Sequence, residues 1–334
     1  KRRFKKERCY YTNHEKFTYN CCMNYIDENF YNLIYAFENT DIYAMYNHMV
    51  KGFKKIPEAT QKSVENFFRQ FNYWGEIDIA DENFESFFQK AQVFKNHTKD
   101  YLWLYSHLAD ARSKHLLYAI LNNYYNFDFS NLSNASNFAF KQYFDLDLVP
   151  KCSDEVFVDV GTYIGDSVLD YISSYGENSY KKIYCYDITQ TTLEKAKFNL
   201  QNYKNIEYKN CAVTNFSGTI GISCNDFSPS ANTTTQASDA DIVAVKLDED
   251  IDEKITMIKM DIEGGEKNAL LGAQRHIKED APKLFISVYH NNTDIFELPK
   301  LIESFNPQYK FYLRYYGGPI YPTEIVLIAL IDKN

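Results

Sequence analysis

After Pro150 the chain alternates between short apolar runs and amphipathic segments, and this alternation restricts its fold more than any other feature. Seven runs have the length of buried strands, at residues 156–160, 183–186, 206–208, 257–260, 284–289, 311–313 and 325–331. Segments with helical spacing of apolar residues follow four of these runs, at residues 164–174, 191–201, 266–276 and 294–304. Such alternation predicts a parallel sheet that helices cover on both faces.

The last two apolar runs lie close together, with no helix between them. They predict a terminal hairpin, because antiparallel strands can be joined by a short turn whereas parallel strands need a crossover. We therefore expect an α/β fold with a seven-stranded, mostly parallel sheet that contains one antiparallel strand. Residues 214–241 are polar and rich in Ser, Thr and Asn, which predicts a loop or a small hairpin near the functional site.

The first part of the chain has a different composition. Of the 12 glycines, only Gly52 and Gly75 precede Pro150, so this part lacks the tight turns that strands need. Apolar residues recur there at helical spacing, as in the set Ile26, Phe30, Leu33 and Ile34. We expect an α-helical N-terminal domain of five to seven helices at residues 1–150 and the α/β domain at 151–334. The helical domain either covers the open edge of the site, forms a homodimer, or is purely structural.

Charge and cysteine content argue against several classes of partner. The chain has 36 Lys and Arg against 45 Asp and Glu, a net charge of -9, whereas a duplex nucleic-acid binder needs a basic face. No run of about 18 apolar residues is present, so no membrane span is predicted. The seven cysteines form no CxxC pair, which argues against a zinc site and for reduced thiols in the cytoplasm.

The first apolar run leads directly into a glycine-containing turn and a helix start, which predicts a ligand-binding loop. The glycines are Gly161 and Gly165, which do not form the G-x-G-x-x-G turn that NAD requires. Asp159 would repel a pyrophosphate but suits a cationic ligand such as S-adenosylmethionine (SAM), which carries an ammonium and a sulfonium. A purely structural turn is the alternative. The predicted cofactor contacts in this loop are Asp159, Gly161, Tyr163, Gly165, Asp166 and Ser167.

The second apolar run ends at Asp187, about 26 residues after Gly161. An acid at this position can accept hydrogen bonds from both ribose hydroxyls of an adenosine. A lone Asp at a strand end can equally be a helix cap. Together with the first loop, Asp187 favours an adenosine-containing cofactor.

The densest charge cluster follows the fourth run, in the segment Lys259-Met260-Asp261-Ile262-Glu263-Gly264-Gly265-Glu266. Strand alternation places Lys259, Asp261 and Glu263 on one side of the strand end. Burying two carboxylates and a lysine there is costly without a function. We interpret Glu266 as a helix cap and the other three as catalytic residues, with Asp261 also contacting the cofactor.

His290 emerges from the carboxyl end of the fifth run, at the same sheet edge as Asp261. Histidine titrates near neutral pH, so His290 is the natural candidate for a general base. The plainer alternative is a structural histidine.

These residues resemble the FkbM family of SAM-dependent methyltransferases over about residues 154–332. The resemblance is carried by the glycine loop, by the Lys-x-Asp-x-Glu-Gly-x-Glu segment at 259–266, and by residues 269–273, 287–290 and 313–316. Upstream, Gln142-Tyr143-Phe144-Asp145 is similar to a helical lead-in of some bacterial members. The chain departs from the family pattern at Tyr163, where Asn is common, at Asp187-Ile188-Thr189, where Glu-Pro is more frequent, and at Tyr315, where His often stands.

The resemblance implies a class I (Rossmann-like) methyltransferase fold, bound SAM and O-methylation of a small-molecule hydroxyl, with S-adenosylhomocysteine (SAH) as product. We expect in-line attack of the hydroxyl oxygen on the sulfonium methyl, with His290 as the base, assisted by Asp261 or Glu263. Lys259 would keep the carboxylates ionised. Substrate contacts are expected at Tyr143, Tyr289 and Arg314.

The expected acceptor is a sugar or nucleotide sugar of bacterial surface-polysaccharide biosynthesis. A divalent metal ion held by Asp261, Glu263 and His290 is a less favoured alternative. A non-catalytic SAM-binding module and an NAD-linked oxidoreductase are the competing functions. A nucleic-acid methyltransferase is disfavoured because residues 260–263 do not form the Asn/Asp-Pro-Pro-aromatic motif that base-flipping enzymes use.

Overall fold

The computed structural model describes residues 10–12, 15–17, 23–71, 74–223, 225, 232–235, 241–318 and 320–332. A short antiparallel pair, β1 (Tyr10–Thr12) and β2 (Glu15–Phe17), precedes the first helix. Helices then occupy most of the chain up to Pro150, and sheets alternate with helices after it.

Seven helices lie before Pro150 in the described part of the chain. They are α1 (Tyr25–Asn39), α2 (Ile42–Phe53), α3 (Glu58–Gln70), α4 (Glu85–Asn96), α5 (Thr98–His107), α6 (Ala111–Asn126) and α7 (Phe129–Ala135). Capping side chains fix several helix starts: Asn24 accepts hydrogen bonds from the first turn of α1, and Asp110 accepts one from Ser113 in α6. The predicted helical character of this part is confirmed.

Eleven strands and six helices follow Pro150 among the described residues. The strands are β3 (Glu155–Val160), β4 (Tyr180–Tyr186), β5 (Ile206–Lys209), β6 (Ala212–Val213), β7 (Gly218–Ser223), β8 (Thr233–Thr235), β9 (Asp241–Val245), β10 (Met257–Met260), β11 (Lys283–Ser287), β12 (Lys310–Tyr315) and β13 (Ile325–Leu330). The helices are α8 (Asp166–Tyr175), α9 (Gln190–Asn199), α10 (Leu247–Asp250), α11 (Glu266–Gly272), α12 (Gln274–Glu279) and α13 (Asp294–Phe305).

The central sheet has seven strands in the order β12-β13-β11-β10-β3-β4-β5. Strand β13 pairs antiparallel with both β11 and β12, and the other neighbouring pairs are parallel. The predicted seven-stranded sheet with one antiparallel strand in a terminal hairpin is therefore confirmed. The inner strands β3, β10 and β13 are almost entirely buried, which explains their continuous apolar runs, whereas the edge strand β5 is only partly buried.

The chain order along the central sheet reverses between β3 and β10. From β3 the chain continues through β4 to β5 on one side, and from β10 it continues to β11 on the other. Helices that pack on opposite faces diverge at such a point and leave a crevice outside the carboxyl ends of the strands. Val160 and Met260, the last residues of β3 and β10, are paired in register. Gly161 and Asp261 therefore enter the crevice side by side.

A second, four-stranded sheet has the order β6-β9-β7-β8. Strand β7 pairs antiparallel with β8 and β9, and β6 pairs parallel with β9. The small hairpin predicted within residues 214–241 is present as β7 and β8, but the sequence did not predict the sheet around it. Strands β7 and β8 are only partly buried, so they lack the apolar runs that reveal the central strands.

The single helix predicted at residues 266–276 is two helices, α11 and α12. A Cβ atom on Gly272 would lie 2.0 Å from the backbone oxygen of Thr214, so only glycine allows this approach. The contact places the end of α11 against the residue that follows β6 of the second sheet. The helix ends there, and α12 begins after Ala273.

The helical part packs against the outer edge of the central sheet. Ala109 donates a backbone hydrogen bond to Phe311 of β12 (2.9 Å), and the Ser113 hydroxyl of α6 accepts one from Leu313 (2.9 Å). The edge strand β12 is thus covered by helices, which removes an exposed strand edge. One apolar core includes residues from both parts of the chain. The division into two domains stays a prediction. No helix in the described ranges is long and apolar enough to cross a bilayer.

Candidate functional site

A cavity of about 300 Å³ lies at the carboxyl ends of β3, β4 and β10. Gly161, Asp187 and Asp261, which follow these three strands, all line it. The position coincides with the reversal point of the sheet, where α/β folds bind their ligands. Predicted residues that line the cavity are Gly161, Tyr163, Asp166, Ser167, Asp187, Lys259, Asp261, Glu263, Tyr143 and Tyr289.

The glycine loop between β3 and α8 is shaped by backbone constraints. Gly161 has a φ of 82°, and a Cβ atom there would lie 1.9 Å from the backbone oxygen of Asp261. Gly165 has a φ of 84°, and its Cβ would meet the Leu200 side chain at 2.9 Å. Gly161 therefore lets two strand ends approach each other at the cavity. Gly165 lies behind the lining and serves the packing of α8 on α9, so its predicted role is corrected to an indirect one.

The Asp187 carboxylate holds the glycine loop in place. It accepts hydrogen bonds from the backbone N–H of Tyr163 (2.7 Å) and of Thr189 (2.8 Å), and from the Thr192 hydroxyl (3.0 Å). Burial raises the pKa of Asp187, and these donors oppose that shift. An ionised carboxylate accepts about four hydrogen bonds. Asp187 thus both caps the loop, as its plainer interpretation required, and retains capacity for a ligand.

Asp159 and Lys259 form a buried ion pair beneath the glycine loop. The Lys259 ammonium lies 3.1 Å from an Asp159 carboxylate oxygen and donates to the Gly161 carbonyl at 2.6 Å. Ser167 donates to the other Asp159 oxygen at 2.7 Å. Asp159 does not line the cavity, so its predicted direct contact with the cofactor is corrected to support of the loop. Burial alone would lower the pKa of Lys259, but Asp159, Asp261 and Asp166 raise it.

Asp261 directly follows β10, and Glu263 lies in the turn beyond it, where strand alternation no longer applies; both line the cavity. The Tyr143 hydroxyl donates to Asp261 at 2.6 Å. Burial and the nearby Asp261 charge raise the pKa of Tyr143 well above its usual value, so this hydroxyl stays a donor. Glu263 has a φ of 57°, a left-handed conformation that carries its side chain toward the cavity.

His290 lies among three carboxylates. Its Nδ1 is 2.9 Å from Glu266, and its Nε2 is 3.3 Å from Glu263 and 3.4 Å from Asp261. The imidazole is fully buried and does not line the cavity. Glu266 lies in the first turn of α11 and also accepts a hydrogen bond from the Ile262 backbone N–H, outside the helix (2.9 Å).

The electrostatics correct the predicted role of His290. Burial alone would lower the pKa of His290, but the negative charges of Glu266, Glu263 and Asp261 raise it to about 10. At neutral pH the ring is an imidazolium, which has no free lone pair to accept a proton. His290 is therefore a counter-charge that positions the carboxylates rather than a general base.

The ligand atoms of Asp261, Glu266 and His290 also lie within 4.8 Å of one another, the kind of spacing that the divalent-metal alternative requires. The imidazolium supplies a positive charge to the same carboxylates. The spacing of these groups suits both the ion pairs and a divalent ion, which would use the same carboxylates.

A pH titration is expected to show His290 charged throughout the neutral range. Because its folded pKa is raised, its proton stabilises the fold fully below the unfolded pKa, near 6.5, and this contribution is lost as pH rises through about 10. The ¹⁵N shifts of the ring, assigned by comparison with His290→Gln, should stay those of an imidazolium at pH 8. Neutral shifts at pH 7 would restore His290 as a base.

Arg314 lies outside the cavity. Its guanidinium contacts the fully buried Asp145 through Nε and lies 2.8 Å from Asp110, the N-cap of α6. Arg314 itself is 3% exposed, so a substrate cannot reach it. Its predicted role in substrate binding is corrected to a structural one, the attachment of β12 to the helical part.

Sequence reasoning missed several cavity residues. Glu324, directly before β13, accepts a hydrogen bond from the Gln142 amide (2.7 Å) and one from the Tyr289 hydroxyl (3.3 Å). The terminal hairpin offered a signal, because an antiparallel strand starts at the edge where its parallel neighbours end. The missed lining residues of the second sheet are Thr214, Asn232, Thr233 and Thr234. They lie in the polar stretch that was expected near the site.

Comparisons with known proteins agree with this geometry. Residues 159–313 match the model of the methyltransferase FkbM domain. The solved structure of methyltransferase FkbM from Methylobacillus flagellatus KT is similar, with 25% identity, a TM-score of 0.61, and coverage of 79% of this chain and 65% of that one. This chain thus spans slightly less than two thirds of the length of that protein.

An rRNA methylase from Streptococcus thermophilus is a much weaker match, with 15% identity, a TM-score of 0.37, and coverage of 55% of this chain and 90% of that one. No conclusion rests on that likeness. No curated protein is significantly similar in sequence. The resemblance seen in the motifs is confirmed: residues 159–313 match the model of the methyltransferase FkbM domain, and the similar solved structure is an FkbM methyltransferase.

Proposed function

We propose that this protein is a SAM-dependent O-methyltransferase of the class I fold, which moves a methyl group to a hydroxyl of a small molecule. The acceptor class that the family resemblance indicates is a sugar or nucleotide sugar of bacterial surface-polysaccharide synthesis. The observation that carries the proposal is the convergence of Gly161, Asp187 and Asp261 on one cavity at the reversal point of the sheet. Cys152, Cys185 and Cys211 are unpaired, which suits a reducing cytoplasm.

The cavity fits SAM in shape and charge. Its volume of about 300 Å³ is in the range of small-molecule sites. Gly161 leaves space that any Cβ would fill, and Asp187 retains acceptor capacity for ribose hydroxyls. The carboxylates that surround the cavity suit a sulfonium and an ammonium. Bound SAM supplies an electrophilic methyl group.

The residues of this chain would organise the transfer. Lys259 fixes the glycine loop through the Gly161 carbonyl, and Tyr163 lines the cavity where its ring could face a cationic sulfur. Burial excludes bulk water from the Asp159–Lys259 ion pair beneath the glycine loop. A carboxylate must accept the hydroxyl proton, because the His290 imidazole is already protonated. Positioning the acceptor oxygen near the methyl group supplies most of the remaining acceleration.

Replacing Asp187 with alanine is expected to weaken the binding of SAH about tenfold or more. The change removes both the ribose acceptor and the hydrogen bond that holds the Tyr163 backbone. The measurement is calorimetric titration of the variant and the unmodified protein. Asp280→Ala is the matched control, because Asp280 also accepts a backbone hydrogen bond, from Ile255 at 3.0 Å, but lies outside the cavity. Equal affinities for Asp187→Ala and the unmodified protein would contradict the proposed cofactor site.

A further inference from the structure

The cavity has a second wall opposite the glycine loop. Gln142 and Tyr143 form it with Tyr289 and Glu324. Gln142 donates to one Glu324 oxygen at 2.7 Å, and Tyr289 donates to the other at 3.3 Å. Tyr143 donates to Asp261, so this wall is joined to the end of β10. The wall comes from the segment after α7, the segment after β11 and the start of β13, none of which carries the glycine loop.

Glu324 differs from the other carboxylates near the cavity. Asp261 and Glu263 face the His290 imidazolium at 3.4 and 3.3 Å, whereas the hydrogen-bond donors to Glu324 are a neutral amide and a neutral hydroxyl. Burial and the nearby Asp261 charge raise the pKa of Glu324, although Gln142, His290 and Tyr289 oppose the shift. A carboxylate of raised pKa is a stronger proton acceptor than an ion-paired one.

The charge of the lining restricts what this wall can receive. Lys259 is the only Lys or Arg among the described lining residues, and Asp159 and the Gly161 carbonyl already hold its ammonium. The lining carboxylates are Asp166, Asp170, Asp187, Asp261, Glu263 and Glu324. A phosphate group in this cavity would meet repulsion from several of them and would find no unpaired cation there.

We propose that Glu324 binds the acceptor hydroxyl and takes its proton, and that the cavity admits neutral or cationic acceptors but excludes phosphorylated ones. This inference rests on the proposed methyl transfer and removes nucleotide sugars from its acceptor class. The bond between the acceptor oxygen and the methyl carbon forms as the sulfur–carbon bond breaks. The electron pair of the broken bond stays on sulfur, and the hydroxyl proton moves to the Glu324 carboxylate.

The test uses three matched probes that differ in charge: methyl glucoside, methyl glucosaminide and glucose 6-phosphate. Each is titrated into the SAH-loaded full chain, and binding is followed by ligand-observed NMR. We expect the cationic probe to bind at least as tightly as the neutral one, and the anionic probe about tenfold more weakly or worse. In Glu324→Gln the preference for the cationic probe over the neutral one should fall several-fold, while SAH still binds and saturates its site. Glu177→Gln, an exposed change beyond the far end of α8, should match the unmodified protein.

The possible outcomes distinguish a failure of this inference from a failure of the proposed methyl transfer. Failure of SAH to bind the unmodified protein would overturn the proposed function itself. If SAH binds but glucose 6-phosphate binds as well as the other probes, or no probe binds at all, the inference about Glu324 and acceptor charge is wrong. If Glu324→Gln keeps the full preference for the cationic probe, another carboxylate causes that preference, and the proposed role of Glu324 is wrong.

Discussion

Replacing Gly161 with alanine is expected to lower the affinity for SAH roughly 100-fold or more. The new Cβ would lie 1.9 Å from the Asp261 backbone oxygen, a separation that non-bonded atoms do not reach. The loop or the end of β10 must therefore move, and both line the cavity. The positive φ of 82° adds backbone strain of about 1–2 kcal/mol for any residue with a Cβ.

Gly176 provides a control for the strain alone. Its φ is 83°, almost the same as that of Gly161, but a Cβ there would meet nothing within 4 Å. Gly176→Ala should lose stability from backbone strain alone and keep the SAH affinity of the unmodified protein. Calorimetric titration and thermal unfolding of both variants separate the two effects. If Gly161→Ala binds SAH as well as Gly176→Ala does, the glycine loop does not form the cofactor site.

Replacing Arg314 with alanine is expected to destabilise the protein by about 3–5 kcal/mol. Asp145 is fully buried and contacts the guanidinium, so without Arg314 its carboxylate would keep only the more distant, half-exposed Arg112 as a counter-charge. The change also releases Asp110 at the start of α6, which weakens the attachment of the helical part to β12. Urea unfolding followed by circular dichroism measures the loss.

Arg112 is the matched control for Arg314. It lies 3.7 Å from the same Asp145 oxygen and 3.4 Å from Asp147, but its side chain is 48% exposed. Arg112→Ala should cost about 0.5 kcal/mol or less, because solvent screens exposed pairs. Adding Asp145→Asn to Arg314→Ala should recover part of the loss, since it removes the poorly compensated buried charge. An equal loss of stability in Arg314→Ala and Arg112→Ala would show that Arg314 does not attach β12 to the helical part.

The sequence predicted those parts of the fold that depend on patterns of neighbouring residues. Continuous apolar runs mark the central strands, since these are buried on both faces, and the short turn before β13 marks the hairpin. The second sheet was not predictable in the same way, because β7 and β8 are partly exposed and carry no continuous apolar run. The break after Gly272 depends on the backbone of Thr214, which is remote in sequence.

In the candidate site, too, the sequence predicted some features and not others. Gly161, Asp187 and Asp261 were found because each follows a strand at the edge where ligands bind. The roles of His290 and Arg314 were misjudged because they depend on partners: three carboxylates for the first, and Asp110 and Asp145 for the second. Residue type predicts a base or a substrate contact, but only the surrounding charges decide whether the group is free to act.

The central claim is that the cavity at the reversal point of the sheet holds SAM. Its most direct test is calorimetric titration of the full chain with SAM, SAH and NADH in turn. The account predicts saturable binding of SAM and SAH at one site per chain, with affinities on the order of micromolar, and no saturable binding of NADH. Saturable binding of NADH that SAH cannot displace, or the absence of binding by both SAM and SAH, would contradict it.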